Sequence, residues 1–360
     1  MDKSSNIVRN KYSTMKKTIY FFLISCFILT GLYAQNRQQV NVNKPGTLIS
    51  HFTEEEAKSI EELTLTGKIN AVDFRYLRDD FSSLKILDIS NADIRMYTGG
   101  KGTHPDNFYL YPANCIPAYA FCKLENGVYN GNESLEKIIL SEKIKNIEDA
   151  AFKNCNNLRV CQIRRKTAPN LLPDALNDSI TSIFVPVGCA DTYKTKRGWA
   201  SFAILEGDPV EANFQIGKLE KLEEKLKAAG FDPGKVNFLK VEGKLDENDL
   251  KMIGDKMTNL VGVDISKTNA RKLPDYTFTQ KKNLLYIDLP NDLTDIGERV
   301  FSNCIRLSGE LVLPPEVQTI GYGAFMGCDK LKSVVVTGDK KLSVGEKLFG
   351  DRKDIELRYK

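Results

Sequence analysis

Apolar residues recur along this chain with a period of 23 or 24 positions. The segment IGYGAFMGCDKL at 320–331 has near-copies at 147–158 (IEDAAFKNCNNL) and 296–307 (IGERVFSNCIRL). The phenylalanine of this segment recurs in steps of 23, 24 and 24 residues, at Phe278, Phe301, Phe325 and Phe349. Self-similarity at such a period is typical of a solenoid, in which each repeat forms one coil.

Each repeat opens with a short alternating apolar stretch, as in LEKIIL at 135–140, LLYIDL at 284–289 and LKSVVV at 331–336. Such stretches predict half-buried strands. One strand per coil pairs in parallel with the same strand of the next coil, about 4.8 Å away. The fold class predicted is therefore a β-rich, α/β-type solenoid with parallel strands and about 23–24 residues per coil. The repeated Ile, Phe, Cys and Leu positions form its buried ladders, with cysteine acting as a small hydrophobe.

A longer repeat divides the chain into two similar halves. Residues 63–90 align without gaps to residues 239–266. We therefore predict two tandem solenoids, at 36–207 and 218–360, joined by a linker at 208–217. The first ends in a capping segment that contains the only tryptophan, Trp199, and breaks the repeat pattern. The second begins with an amphipathic helix within KLEKLEEKLKAAG, whose apolar face is Leu219, Leu222 and Leu226. Its last segment, DIELRYK, is expected to be a strand with an exposed pairing edge.

The frame L-x-x-I-x-L-x-x-x-I-x-x-I-x-x-x-x-F-x-x-C-x-x-L resembles the BspA-like leucine-rich repeats of exported Bacteroidetes proteins. The segment FVPVGCADTYKTKRGWASF is similar to the terminal segment that often follows such repeats. The resemblance covers about 63–207 and 236–350. It implies an exported protein that binds a host or bacterial partner, as adhesins do. The first half departs from the pattern by a long insert, and the second half lacks the Trp-containing cap.

The first 34 residues resemble a secretory signal peptide. A basic MKK at 15–17 precedes the apolar stretch TIYFFLISCFILTGLYA, and cleavage would follow Ala34. Met15 is an alternative start, which would make residues 1–14 an upstream extension. A membrane anchor is an alternative to cleavage, and LISC at 23–26 offers Cys26 as a site for a lipid anchor. The expected location is therefore the cell surface, the medium or the periplasm.

The charge pattern argues against nucleic acid as a partner. The chain has a formal net charge of +4. The N-terminal segment of 34 residues has five basic side chains and one acidic side chain, so the remainder is formally neutral. A neutral chain without a basic stripe lacks the electrostatic surface that phosphate backbones require.

Residues suited to catalysis or metal binding are sparse. The chain has two histidines, His51 and His104, and no C-x-x-C pair. His104 and Cys115 are the one pair that could be considered for a cysteine nucleophile. No paired carboxylates, calcium loop or phosphate-binding glycine pattern stands out. We therefore expect no enzyme activity, cofactor, metal or small-molecule substrate.

The candidate binding site lies where the two halves differ. The insert MYTGGKGTHPDNFYLYPANC at 96–115 has three glycines followed by closely spaced aromatic residues. Loops on a rigid scaffold often carry recognition, so Tyr97, Phe108, Tyr109 and Tyr111 are predicted to contact a protein or glycan at the cell surface. The alternative is that these aromatics fold back and seal the flank of the solenoid. The strand face around Asp88, Gln162, Asp264 and Asp288 is then the better candidate. The function predicted is adhesion or partner binding, and the alternative is a structural or scaffolding component of the cell envelope.

Overall fold

The computed structural model describes residues 36–178, 181–338 and 342–360. The predicted signal peptide and Cys26 lie outside these residues. The described chain divides into two compact units. The first contains the residues up to Leu158 together with Pro169–Leu176, and the second contains Arg159–Ala168 and Asn177–Lys360. The predicted domains at 36–207 and 218–360 stay a prediction.

The strands are numbered in chain order. Those up to residue 171 are β1 (Arg37–Val42), β2 (Glu62–Ile69), β3 (Ile86–Ile94), β4 (Tyr97–Gly99), β5 (Tyr109–Tyr111), β6 (Cys115–Ile116), β7 (Cys122–Glu125), β8 (Val128–Gly131), β9 (Lys137–Leu140), β10 (Asn146–Ile147), β11 (Val160–Ile163) and β12 (Asn170–Leu171). The others are β13 (Ser182–Val185), β14 (Ala203–Glu206), β15 (Glu211–Ile216), β16 (Phe238–Gly243), β17 (Gly262–Thr268), β18 (Lys272–Leu273), β19 (Tyr286–Asp288), β20 (Asp295–Ile296), β21 (Gly309–Leu313), β22 (Thr319–Ile320), β23 (Leu331–Val336), β24 (Ser343–Val344) and β25 (Glu356–Tyr359).

Helices are few and short. They are α1 (Glu54–Ser59), α2 (Ala71–Asp80), α3 (Ala190–Lys194), α4 (Leu222–Ala228) and α5 (Glu247–Lys256), with 3-10 turns at Leu48–His51 and Pro233–Lys235. Across the described ranges, none of the helices is long and apolar enough to cross a membrane.

Parallel strand stacks build both units. In the first unit, β1, β2, β3 and β9 pair in that order, and β6, β10 and β12 form a second, shorter stack. In the second unit, the stacks are β11–β13–β14, β15–β16–β17–β19, β18–β20–β22–β24 and β21–β23–β25. The predicted parallel solenoid is confirmed. Seven two-residue strands in the described ranges were not predicted, because two residues are too few to show an alternating pattern. They are β6, β10, β12, β18, β20, β22 and β24.

The predicted phenylalanine ladder is present in both units. Phe152, Phe301 and Phe325 are each at most 1% exposed. The rings of Phe121 and Phe152 stack at 5.3 Å, those of Phe278 and Phe301 at 5.6 Å, and those of Phe301 and Phe325 at 5.4 Å between centroids. Burying each such ring contributes roughly 1.5–3 kcal/mol.

The backbone beside each ladder position is left-handed. The residue two places before the ladder position has a positive φ in seven coils, at Tyr119, Ala150, Asp174, Tyr276, Arg299, Gly323 and Lys347. In five of these coils, its N–H donates to a carbonyl of the next coil, as in the 2.9 Å bond from Arg299 N to Tyr322 O. The phenylalanine N–H does the same, as in the 2.8 Å bond from Phe301 N to Ala324 O. These intercoil hydrogen bonds hold a conformation that costs roughly 1–2 kcal/mol per non-glycine residue.

The repeated cysteines are buried, as predicted, and they also donate hydrogen bonds. Each thiol points to the carbonyl of the ladder phenylalanine one coil earlier. Cys304 Sγ lies 3.0 Å from Phe278 O, and Cys328 Sγ lies 3.0 Å from Phe301 O. Among the described residues, all seven cysteines are buried and unpaired.

Helices α2 and α5 begin with the same buried carboxylate motif, at positions that the 176-residue offset relates. Each has a capping box, formed by Asn70 with Asp73 and by Asp246 with Asp249. Both carboxylates also accept from a segment about 25 residues earlier: Asp73 from Leu48 N at 2.9 Å, and Asp249 from Leu222 N at 3.0 Å. The sequence repeat therefore marks an equivalent helix start in each unit.

The capping segment of the second unit has an aromatic core. Trp199 is fully buried and meets the ring of Tyr193 edge-on at 5.4 Å. Within this unit, Phe184 and Leu205 of the cap strands share an apolar cluster with Val261 and Leu285.

The segment between cap and predicted helix is more ordered than a linker. Glu211–Ile216 forms β15 and pairs in parallel with β16. The predicted helix exists but begins only at Leu222, with Lys221 in an extended conformation. Leu222 and Leu226 are buried as expected, whereas Leu219 is 93% exposed. Leu219 precedes the first helical turn, so helical periodicity does not place it on the apolar face.

Candidate partner-binding site

The predicted insert forms a small antiparallel hairpin on the first unit. Tyr97 pairs with Tyr111, Thr98 with Leu110 and Gly99 with Tyr109. Side chains alternate between the two faces of a strand pair. Tyr97, Tyr109 and Tyr111 therefore share one face, and Thr98 and Leu110 share the other. We call these the inner and outer faces of the first hairpin.

The inner face is a packed aromatic cluster. Tyr111 is 2% exposed, its ring lies 4.9 Å from that of Tyr109 and 5.8 Å from that of Tyr97. His104 stacks on Tyr109 at 4.0 Å and meets Tyr119 edge-on at 5.1 Å. His104 N–H donates to Tyr111 Oη at 2.7 Å. Burial raises the pKa of Tyr111, so its hydroxyl stays neutral and remains a hydrogen-bonding group.

The loop of this hairpin is anchored to the first unit by buried polar groups. Arg78 Nη1 donates to the carbonyls of Thr103 at 2.9 Å and Tyr119 at 3.1 Å. Thr103 Oγ1 donates to Ala118 O at 2.6 Å. Gly102 is required here, because an added Cβ would lie 2.4 Å from the Tyr111 ring. The loop is thus held on a fixed path rather than left free.

The outer face, by contrast, is apolar and exposed. Met96 is 65% exposed, Phe108 is 72% exposed and Leu110 is 57% exposed. Thr98 lies between them and is also exposed. Alternation along each chain segment puts Met96 with Thr98 and Phe108 with Leu110 on this face. Several exposed apolar side chains on one face are typical of interaction sites.

A second hairpin lies beside the first in the same unit. Strands β7 and β8 are antiparallel, with Leu124 opposite Tyr129. The turn is Asn126-Gly127, and both residues have positive φ values, of 53° and 79°. This is the strongest short-range hairpin signal in sequence, so the hairpin could have been predicted. The sequence analysis did not predict a hairpin here. Val128 at its tip is 58% exposed.

Tyr119 joins the two hairpins. Its ring contacts His104 of the first hairpin and stacks on Tyr129 of the second at 6.3 Å. Lys153 Nζ lies 3.7 Å from the centre of the Tyr129 ring and 2.7 Å from an oxygen of Asp174. Burial raises the pKa of Tyr119 to about 12. The two hairpins therefore share one aromatic support.

The His104 and Cys115 environments do not match those of a catalytic pair. Nδ1 of His104 accepts from the N–H of Asp106 at 3.1 Å, and burial lowers the pKa of its imidazole. Burial raises the pKa of Cys115 to about 11. Reactive cysteines have lowered pKa values and partial exposure, whereas Cys115 is 3% exposed. In residues 36–178, 181–338 and 342–360, no group of three His, Cys, Asp or Glu could hold a metal ion.

The alternative strand-face residues are distributed over both units. Asp88 lies on β3 in the first unit, and its carboxylate accepts from Ser90 N at 2.8 Å. In the second unit, Asp264 and Asp288 are register partners on β17 and β19. Gln162, on β11, is 3% exposed, and its amide donates to Asp208. Its burial makes Gln162 a poor contact residue.

Of the four predicted contact residues, Phe108 alone projects outward. Tyr97 and Tyr109 are partly buried, and Tyr111 is buried in the inner cluster. Met96 and Leu110, which the sequence analysis did not select, are exposed beside Phe108. The sequence shows that Met96 is two residues from Thr98 and that Leu110 is two residues from Phe108. It does not show the hairpin register that places these residues on one face.

The comparison with known proteins decides the kind of repeat. Six copies of the BspA type leucine rich repeat region match the chain, at residues 115–186 and 255–356. The protein carries BspA-type leucine-rich repeats. The matched residues contain every stacked phenylalanine pair of the ladder. The first hairpin lies outside the matched residues, which begin at Cys115.

Solved structures give weaker likenesses to these BspA-type repeats. A leucine-rich repeat protein from Bacteroides ovatus is 13% identical over 82% of this chain and 78% of its own, with a TM-score of 0.28. A leucine-rich repeat protein from Eubacterium ventriosum is 13% identical over 57% of this chain and 61% of its own, with a TM-score of 0.23. No curated protein matches the sequence. Neither likeness bears on function at these TM-scores.

Proposed function

We propose that this BspA-type repeat protein is an exported, non-enzymatic binding protein whose outer hairpin face contacts a partner protein. The observation that carries the proposal is the exposure of Met96, Phe108 and Leu110 on one face of a hairpin whose other face packs into the inner aromatic cluster. A soluble monomer gains nothing from displaying these side chains to water. A rigid scaffold with a projecting loop is a common way to present a binding surface.

The chemistry of the outer face favours a protein over a glycan. Leu110 has no polar atom, and the sulfur of Met96 is only a weak acceptor. Neither is a strong hydrogen-bonding partner for the hydroxyl groups of a sugar. Methionine is flexible and polarisable, and it adapts to irregular apolar surfaces. Phe108 supplies a large area with few rotatable bonds, as anchor residues at protein interfaces do. The partner is therefore expected to present an apolar cleft or an exposed apolar strand.

Export is part of the proposal. The basic segment and apolar stretch of residues 15–34 support it, as do the BspA-type repeats. A structural or scaffolding role in the cell envelope is the competing function. A scaffold component would be recovered in a constitutive complex, whereas a receptor or adhesin would bind a separable ligand.

The test uses the purified protein to capture partners from envelope and medium fractions of the cells that produce it. A triple variant, Met96→Ser, Phe108→Ser and Leu110→Ser, changes the outer face and leaves the inner cluster intact. The matched control is Val187→Ser with Leu219→Ser, which removes apolar side chains that are 79% and 93% exposed elsewhere. Circular dichroism and thermal unfolding establish that both variants fold.

We expect the wild type and the control variant to retain the same partner, and the triple variant to lose it. Partner retention by the folded triple variant would show that the outer face is not the site. Residues Asp88, Asp264 and Asp288 of the strand faces would then be tested next. Replacing the whole loop would be a poorer test, because it would also remove the buried Thr103 and Tyr111.

A further inference from the structure

Strand β25 in the second unit lies at the edge of its sheet. It pairs in parallel with β23, with Leu357 opposite Val334 and Tyr359 opposite Val336. Among the strands that the structure describes, none pairs with its other side. An open edge presents unpaired N–H and C=O groups that another strand can use.

The hydrogen-bonding direction of β25 shows which groups are free. Lys360 N–H donates to Val336 O at 3.0 Å, so this N–H points towards β23. Backbone groups alternate in direction along a strand. The N–H and C=O groups of Leu357 and Tyr359 therefore point to the open side. Leu357 lies midway between residues 355 and 359, the two neighbouring positions whose backbone groups also point to the open side.

The charges around Leu357 are self-complementary. Glu356 and Arg358 flank it, and they form an ion pair in which the side chains are 62% and 56% exposed. In an antiparallel pair of two β25 strands centred on Leu357, each Glu356 lies opposite the Arg358 of the other copy. These are non-hydrogen-bonded positions, where opposing side chains are closest. Centring the pair on either neighbour would place like charges opposite each other, which is destabilising.

The ion pair between Glu356 and Arg358 within one copy does not oppose the formation of the same pairs between two copies. Exposed ion pairs contribute little to stability, so Glu356 and Arg358 lose little by exchanging partners. Lys360, just after β25, is also exposed and lies 3.3 Å from Glu310 on β21. This pair is within one copy and stays in place when β25 gains a neighbour.

Apolar groups at the same end of the unit are only partly covered. Tyr359 is 64% exposed and Val344 is 40% exposed. Phe349 ends the stack of aromatic rings, 6.1 Å from Phe325, with no further ring beyond it in the part of the chain that the structure describes. Pairing at β25 brings this end against its equivalent in a second copy, which adds apolar contact to the strand hydrogen bonds.

We propose that a second copy of this chain docks at β25, by antiparallel strand pairing centred on Leu357. The two copies form a symmetric dimer in which β21–β23–β25 continues into the same three strands of the other copy. Leu357 exchanges two hydrogen bonds with its counterpart, and two Glu356–Arg358 pairs form across the interface. None of the contacts described above involves a residue of the first hairpin, so the proposal is independent of the proposed function.

The test is a charge swap followed by sedimentation velocity over a range of protein concentrations. Glu356→Arg or Arg358→Glu alone places like charges opposite each other twice in the dimer. Each should raise the dimer dissociation constant about tenfold or more. The double variant restores opposite charges and should restore dimerisation to within about threefold of the wild type. The matched control, Glu223→Lys with Lys256→Glu, reverses an exposed ion pair elsewhere in the second unit and should change nothing.

A second variant tests the backbone contact. Tyr359→Pro removes an outward N–H without removing a bond to β23, and it should abolish the dimer while Trp199 fluorescence stays that of folded protein. Monomeric wild type at every concentration would overturn the proposal. A dimer that both single charge variants leave unchanged would also overturn it, as would a double variant that is no better than the singles.

Discussion

The ring of Phe301 lies 5.4 Å from the ring of Phe325, and the two planes are within 4° of parallel. Because Phe301 also stacks on Phe278, another aromatic ring packs against each of its two faces. We expect Phe301→Ala to lower the free energy of unfolding by about 3–5 kcal/mol, from lost burial and the cavity that remains. Urea unfolding followed by Trp199 fluorescence measures this, since Trp199 is the only tryptophan and lies in the same unit.

The control for that measurement is Phe108→Ala. It removes the same side chain from a position that is 72% exposed, and circular dichroism should show a change within about 0.5 kcal/mol. A loss of less than about 1 kcal/mol for Phe301→Ala would contradict the stacked-coil interpretation.

The cysteine ladder should consist of free thiols that react only after unfolding. Burial raises the pKa of Cys304, and it raises the pKa of Cys328 to about 12. Both thiols also donate to phenylalanine carbonyls, so the thiolate is doubly disfavoured. Without reductant, alkylation and mass spectrometry should show no label on either residue in native protein and full labelling in denaturant. A crosslinked peptide that joins the two cysteines would contradict this expectation.

The first hairpin should weaken in acid because of His104. Its pKa is lowered from 6.5 by burial, although Asp106 and Asp149 oppose the shift. A base with a lowered folded-state pKa contributes stability that is present above pH 6.5 and lost as the pH falls towards the folded value. Amide exchange protection at residues 97–111 should therefore fall as the pH drops below about 6.5.

The matched variant for this effect is His104→Phe. It keeps an aromatic ring against Tyr109 and Tyr119 but cannot gain a proton. Its protection factors should not change over the same pH range. Those of β21 and β23, in the second unit, serve as an internal reference in both proteins. Equal pH dependence in the variant and the wild type would exclude His104 as the cause.

Gly102 should be intolerant of any side chain. A Cβ there would lie 2.4 Å from the Tyr111 ring, and the ring cannot retreat because it packs against Tyr97 and Tyr109. Gly102→Ala should abolish the slow amide exchange of the first hairpin while leaving the thermal unfolding of the second unit unchanged. Thr98→Ala, on the exposed outer face, is the control and should preserve that protection. Normal protection in Gly102→Ala would show that the inner cluster can rearrange.

The coil architecture was predictable because its signal is repeated. One coil of this chain is ambiguous, since IGYGAFMGCDKL shows neither a helical nor an alternating pattern. Repetition shows that Phe301 and Phe325 are equivalent, and equivalence implies stacking. Helix α2 was missed, although its sequence, AVDFRYLRDD, follows Asn70, which forms a recognisable capping box with Asp73.

The location of the candidate site could be predicted from the sequence, but the residues that face outward could not. The insert stood out because the second half lacks it. The pairing of Thr98 with Leu110 determines which aromatic residues of the insert face outward. Sequence spacing across a loop of nine residues, 100–108, does not determine that pairing. Tyr111 was selected as a contact residue for its type, yet its hydroxyl accepts from His104 and supports the loop from within.

The left-handed residue before each ladder phenylalanine has a consequence for engineering. The position accepts Tyr, Ala, Asp, Arg, Gly and Lys in the present coils. It is buried at Tyr119 and Ala150 but exposed at Tyr276 and Lys347. β-Branched residues and proline do not fit there, because their backbones strongly disfavour a positive φ. A designer who lengthens this array can therefore vary that position freely among unbranched residues. In coils like those of the second unit, where Tyr276, Arg299 and Lys347 are exposed or partly exposed at this position, each added coil would place one new side chain at the surface.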